Sequence, residues 1–299
     1  MGTLKPGLII GGASKSGTTA LYYYLRQHPA LCLPEKKELH FFSRPWLEQA
    51  VSAPGGKYVL LEVPKTFEEF LSNFSACEAG KTAVDISPSY LYYFKSADRI
   101  REYLGDVRIV FILRNPADKA FSQYLHLRGA GLETLDFGEA LAAEPARTAN
   151  GYSDIWLYRK SGFYADAIRY YIKVFGRENI HIIFYDDFAR EPERVLRDIC
   201  IFAGIDREFR FAPVTQVNRS GLPRSRLVTK LIEPNFLTYI LRRVIPQSIG
   251  RLVRKFVKEL NTGEKPVFDK QLRSSLIGEY ARDIQEVEQL AGRKSGWLS

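Results

Sequence analysis

Cysteine and histidine are scarce in this 299-residue chain, and their scarcity removes several kinds of chemistry at the outset. The three cysteines, Cys32, Cys77 and Cys200, carry no metal-ligand spacing and read as reduced thiols of a reducing, cytoplasmic compartment. Four histidines without a single HxxxH or HxH pair argue against a zinc site, so no metal is expected. No apolar run reaches 18 residues, and MGTLKPGLIIGG has no basic segment leading into a long apolar one, so neither a membrane span nor a signal peptide is expected. Repeats, heptads and low-complexity tracts are missing too. What is left is 45% hydrophobic and 26% charged, long enough for one large α/β domain with appendages.

The formal net charge of +9 is concentrated in one place: between Arg219 and Lys258 ten Lys or Arg stand against one acid, Glu233, while the rest of the chain balances 33 bases with 33 acids. Such a stretch attracts an acidic partner, whether nucleic acid, an anionic lipid face, an acidic carrier protein or a multiply phosphorylated cofactor. Nucleic-acid binding calls for aromatic and basic residues interleaved over a whole footprint, which this chain does not show.

The most informative stretch is LIIGGASKSGTT, residues 8–19. Leu8, Ile9 and Ile10 read as a buried strand, Gly11 and Gly12 break it, and 18–27 reads as a helix with Leu21 and Leu25 on one face. Strand, Gly/Ser/Thr turn and helix N-terminus together form a cradle of inward-pointing N–H groups, whose natural guest is a phosphate-like anion. Against the nucleotide-binding pattern GxxxxGK[ST], Gly12, Gly17 and Thr19 are in place, but Thr18 stands where the lysine belongs. The loop's cation is Lys15, three residues early, which argues against an ordinary ATPase or kinase.

Downstream, Leu31 and Leu33 suggest a short strand, followed by PEKKELHFF; helical pieces are expected around 46–51 and 64–74. AVDIS begins as a strand carrying Asp85, and VRIVFILRNP (107–116) is the clearest buried strand, delivering Arg114 to its end. The following helix, about 117–127, places Ser122 eight residues after Arg114, so that guanidinium and hydroxyl can share one anion. A loop is expected around 144–154, a helix over 161–176, a strand at NIHIIF, and a helix stopped by Gly204. The alternation predicts an α/β fold, a P-loop-type parallel sheet flanked by helices. Near the C-terminus, 219–260 reads as a basic amphipathic helical lid or acceptor-binding segment, and a last helix over 269–291 as packing back on the body.

GGASKSGTTAL (11–21), LPEKKELHFF (33–42), DISPSYLYY (85–93), RNPADKAFSQYLH (114–126) and SGFYADAIRYY (161–171), taken in this order, resemble the sulfotransferases that use 3′-phosphoadenosine 5′-phosphosulfate (PAPS). The resemblance runs from residue 8 to about 205 and is closer to the heparan-sulfate-type and bacterial, polyketide-associated branch than to the cytosolic steroid and phenol branch, which usually has KSGTTW. It implies a single sulfotransferase domain over 1–299, with a PAPS-binding core at 8–205 and a C-terminal helical part at 267–299. It also implies that Lys15, Ser16, Gly17, Thr18 and Thr19 hold the 5′-phosphosulfate, that Arg114 and Ser122 bind the 3′-phosphate, and that Tyr164 offers an aromatic face to adenine. Arg219 and Arg224 would lie on a loop crossing back over the nucleotide, although this chain matches neither common closing-loop pattern of the family. A Walker lysine and a magnesium carboxylate are dispensable to such a site.

Sulfuryl transfer, treated by analogy with phosphoryl transfer, has an acceptor hydroxyl attack sulfur in line while charge grows on the bridging oxygen. A cation aimed at that oxygen acts only as charge develops, and Lys15 is the residue for it. The family's base matches Glu38; His40, Asp85 and His126 are alternatives, an imidazole because it titrates near neutrality. The apolar and basic character of 226–260 suits a greasy acceptor, such as a hydroxyl on an acyl chain presented by an acidic acyl carrier protein as in polyketide biosynthesis. Glycolipid, saccharide and small-alcohol acceptors stay open, as does peripheral contact with anionic lipid. The readings from other classes are a P-loop kinase-like nucleotide binder and a basic nucleic-acid-binding protein.

Overall fold

A computed structural model describes residues 4–50, 60, 62–214 and 266–298. The segment 219–260, with Arg219 and Arg224, lies outside the described residues. The core is a five-stranded parallel sheet, ordered β2 (Leu31–Cys32), β3 (Thr82–Ile86), β1 (Pro6–Gly12), β4 (Arg108–Leu113), β5 (Ile180–Phe184). The strand that carries the glycine turn is therefore central, hydrogen-bonded on both sides.

The strands read as continuous apolar runs because both faces are covered. On one face Ile9, Ile109, Phe111 and Leu113 pack with Ile168, Tyr171 and Tyr280; on the other Leu8, Ile10, Val110 and Ile112 pack with Leu21, Leu25, Leu196 and Ile199. Alternate residues of one strand thus enter opposite cores, as the two-residue strand period requires. Each such side chain withdrawn from water contributes about 1.5–3 kcal/mol. The last helix, Lys270–Ala291, buries Leu276, Tyr280, Ile284 and Val287 against the first face, as the spacing predicts. The α/β class, the flanking helices and the C-terminal helical segment all follow the expectation.

Two local expectations fail. The stretch expected as loop at 144–154 opens with helix Glu144–Ala149, started by Pro145 in its first turn and carried by Ala and Arg. Before it, Asp136 and Glu139 close a reciprocal capping box on helix Phe137–Ala142. The second correction concerns the thiols. Cys32 at the end of β2 and Cys77 are joined by a disulfide, their Cα atoms 5.7 Å apart, and Cys200 is a buried free thiol. A separation of 45 residues hides this pairing from any spacing rule, and it removes the cysteine-based case for a reducing compartment. Among the described residues no helix is long and apolar enough to cross a membrane.

Closing a 45-residue loop restricts the unfolded chain by an entropy worth up to about 4 kcal/mol. Alkylation of denatured protein without reductant should therefore label one thiol and, after reduction, three; Cys32→Ser should lower the melting temperature by several degrees. Three labelled thiols before reduction would refute the pairing.

Candidate active site

In a parallel sheet the loops after the strands converge on one edge, and four of these loops bring polar residues there. The turn after β1 supplies Lys15 to Thr19, the segment after β2 supplies Lys36 to His40, β3 carries Asp85 one residue before its end, and Arg114 directly follows β4. The β1 turn is packed from both ends. A Cβ on Gly12 would come within 2.7 Å of Leu91 Cβ, and one on Gly17 within 2.9 Å of the Tyr185 ring. Gly17 also has φ 88°, which other residues adopt only at a cost. It precedes helix Thr18–Leu25 without any side-chain cap, so Thr18 and Thr19 do not spend their hydroxyls on the helix end. Lys15 itself has φ 63°, and its carbonyl accepts a hydrogen bond from Arg114 Nη1 at 3.1 Å.

The segment after β2 is tied down by side chains. Tyr22 donates its hydroxyl to the Pro34 carbonyl at 2.7 Å, His40 N–H donates to Ser87 Oγ at 3.0 Å, and His40 Nδ1 lies 2.7 Å from Ser89 Oγ. Glu38 and His40 both take positive φ, 64° and 54°. Lys37 Nζ reaches Thr19 Oγ1 at 3.0 Å and Thr18 Oγ1 at 3.4 Å, and pairs with the Glu38 carboxylate. His40 Nε2 stands 3.7 Å from Glu38 Oε2. Burial works against ionisation of Glu38, but the contact from His40 and the charge of Lys37 outweigh it and hold its carboxyl down at about 2. Glu38 is the anionic group at the surface of this cluster.

Asp85 lies behind it, fully buried, its oxygens accepting hydrogen bonds from Ser87 at 2.9 Å and Tyr90 at 2.7 Å. Burial pushes its carboxyl up to about 6, against those two hydrogen bonds and the charge of His40. With both oxygens taken, Asp85 holds the Ser87 and Tyr90 scaffold and has no face for an acceptor.

Arg114 and Ser122 line one cavity of about 310 Å³ together with Asp118, Phe121 and Phe268. Asn115 caps helix Pro116–Gly129, accepting from Ala117 N–H at 3.0 Å, and so fixes the step from β4 to Ser122. The guanidinium of Arg114 lies 5.0 Å from the centre of the Tyr185 ring. Tyr185, which also packs against Gly17, was not legible in the sequence as part of the site; its only signal is its place at the end of β5.

Two expected contacts are differently placed, those of Tyr164 and Ser16. Tyr164 is 1% exposed and donates its hydroxyl to the Arg114 carbonyl at 3.1 Å, so no ring face remains for adenine and it braces Arg114 instead. Ser16 is fully buried with Oγ turned toward the Ser14 carbonyl, leaving its backbone to the loop. His126 is exposed on helix Pro116–Gly129, four residues past Ser122. Among the described residues no group of three or more His, Cys, Asp or Glu is placed to hold a metal ion.

A profile described as the sulfotransferase family matches residues 6–209. Membrane-associated sulfotransferase kil1 of Dictyostelium discoideum is 24% identical over 279 residues, covering 67% of this chain and 56% of that protein. Human heparan sulfate glucosamine 3-O-sulfotransferase 3B1 is 23% identical over 259 residues, covering 86% of this chain and 61% of that protein. The chain thus spans roughly three fifths of the length of these relatives. The crystal structure of a sulfotransferase from Alicyclobacillus acidocaldarius superposes with a TM-score of 0.78 at 31% identity, covering 99% of both chains.

The Asp85 carboxyl gives a direct check of the geometry. Its folded value, about 6, lies above the ordinary carboxylate value near 4, so the folded protein binds more protons between the two and loses stability as pH rises through that window. Denaturant melts from pH 4 to 7 should show Asp85→Asn gaining on the wild type over that range. A constant difference between the two proteins would contradict the burial of a charged Asp85.

Proposed function

This chain belongs to the sulfotransferase family, and from that premise we propose that it transfers the sulfuryl group of PAPS to a hydroxyl of an apolar or carrier-bound acceptor. The observation that carries the donor reading is the bond from Arg114 to the Lys15 carbonyl, which sets two anion pockets one guanidinium apart. A nucleotide with charge at both the 5′ and 3′ positions of its ribose needs that arrangement, and ATP does not. The residues fit such a ligand: the loop's N–H groups, Lys15, Thr18 and Thr19 face one end, and Arg114 with Ser122 the other. When bound, PAPS supplies an activated sulfuryl group on a good leaving phosphate.

The chain's own residues then have distinct tasks. Lys15 offers positive charge to the oxygen that becomes anionic, which lowers the barrier because the charge is there before the reaction needs it. Glu38 is ionised and takes the acceptor's proton; His40, held by Ser87 and Ser89, fixes its orientation. Placing the chain nearer the heparan-sulfate-type and bacterial branch rests on the Glu38-x-His40-Phe41-Phe42 run and on the relatives named for 3-O-sulfotransfer. The preference for an apolar or acyl-carrier acceptor over a saccharide rests on the composition of 226–260. The Cys32–Cys77 disulfide leaves the cytoplasmic setting expected from the cysteines without their support.

Calorimetric titration should show 3′-phosphoadenosine 5′-phosphate (PAP) bound in preference to ATP, and Arg114→Ala should abolish most of that preference. Equal, tight ATP binding by the wild type would overturn the proposal. In a labelled-sulfate screen across acyl-carrier, glycolipid, saccharide and phenolic hydroxyls, Glu38→Gln should retain PAP binding and lose roughly 10²–10⁴-fold in transfer. Retained transfer would move the base elsewhere, and the acceptor that is labelled decides between the carrier and saccharide readings.

A further inference from the structure

The lysine that GxxxxGK[ST] carries at its penultimate position is Thr18 in this chain, yet an ammonium from another segment reaches the Thr18 and Thr19 hydroxyls. Lys37 Nζ contacts Thr19 Oγ1 at 3.0 Å, Thr18 Oγ1 at 3.4 Å and the Glu38 carboxylate, which uses all three of its donors. Its side chain is 17% exposed, so the charge is partly withdrawn from water and its partners matter more. The strand that delivers it, β2, is separated from β1 by β3, so the ammonium crosses one strand of the sheet to reach the loop. The left-handed backbone at Glu38 and His40, pinned through Ser87 and Ser89, gives the segment the bend that aims Lys37 there.

We propose that Lys37 is the second cation of the 5′ anion site, standing in for the missing loop lysine, and that it positions Glu38 by sharing its donors between that carboxylate and the Thr18 and Thr19 hydroxyls. The inference rests on the PAPS reading and deepens it. A phosphate or phosphosulfate entering the loop takes donors from Lys37 that Glu38 would otherwise hold, which leaves the carboxylate freer to accept a proton. The titratable groups facing Glu38 are Lys37 and His40, with Asp85 behind them.

Lys37→Met and Lys37→Arg should be titrated with PAP and ADP beside the wild type. Loss of a charge-assisted contact should weaken PAP binding by Lys37→Met about tenfold or more, with Lys37→Arg recovering part of it. A second readout needs no acceptor: the carboxyl carbon of Glu38, assigned by its loss in Glu38→Gln and followed by NMR, should titrate at higher pH in Lys37→Met than in the wild type. A structural role alone would not move that titration, and unchanged thermal melting would show the fold intact. Wild-type PAP affinity retained in Lys37→Met, or a Glu38 titration that stays where it was, overturns the assignment of Lys37. Wild-type protein with no preference for PAP overturns the donor reading and this inference with it.

Discussion

One hydrogen bond sets the dimensions of the site: the guanidinium of Arg114 on the carbonyl of Lys15. It joins the turn after β1 to the end of the neighbouring β4, so the two pockets move as one. Everything near it serves to keep that guanidinium in place. Tyr185 packs against its face, Tyr164 donates to its own carbonyl, and Asn115 begins the helix right after it. Tyr164 is fixed in turn, because its N–H and that of Ala165 donate to Asp283 at 2.9 and 3.0 Å, on the C-terminal helix. Arg273 of the same helix holds Asp118 through two bonds, of 2.8 and 2.9 Å, beside the Arg114 cavity. A helix distant in sequence therefore acts on the site through one carboxylate on backbone N–H groups and one ion pair, in addition to its apolar stripe.

The electrostatics of the cluster follow from the unequal depth of its two carboxylates. Asp85 and Glu38 both lie near His40, but one has its oxygens saturated by Ser87 and Tyr90 in a dry interior, while the other faces an ammonium at the surface. Burial dominates the first and raises it to about 6; opposite charge dominates the second and holds it at about 2. At neutral pH Glu38 is an anion whose basicity is suppressed by the cation beside it. In the proposed reaction such a base becomes effective only as its cation is drawn elsewhere, and an anionic ligand in the loop would supply that pull.

The parts of the site that were legible in the sequence are those built from contiguous residues. Strand, glycine turn and helix over 8–25, and the step from β4 through Arg114 to Ser122, each need only local spacing and the rule that parallel strands open their sites at one edge. The parts that were not legible depend on which strand lies beside which. Lys37 reads as one of two adjacent surface lysines until the order β2-β3-β1 brings it to Thr18 and Thr19. Tyr164 begins an amphipathic helix in the expected place, but only the fold shows its ring turned into the core beneath Arg114. Cys32 and Cys77 fail for the same reason, since 45 residues of chain separate two atoms that the fold makes neighbours.

That disulfide bears on the chemistry because of where it sits. β2 is two residues long and pairs only with β3, at the edge of the sheet, yet the segment it launches carries Lys37, Glu38 and His40. Two ladder pairs alone hold such a segment only weakly, so the fixing must come from elsewhere. It comes from the Cys32–Cys77 bond before the segment, the Tyr22 hydroxyl on the carbonyls of Pro34 and Glu35 at 2.7 and 3.0 Å, and the serines that grip His40 after it. The central strands are over-determined by two cores and need no such ties. The residues proposed for proton transfer thus stand on the least regular element, where small changes in contact can shift the Glu38 carboxylate without disturbing the sheet.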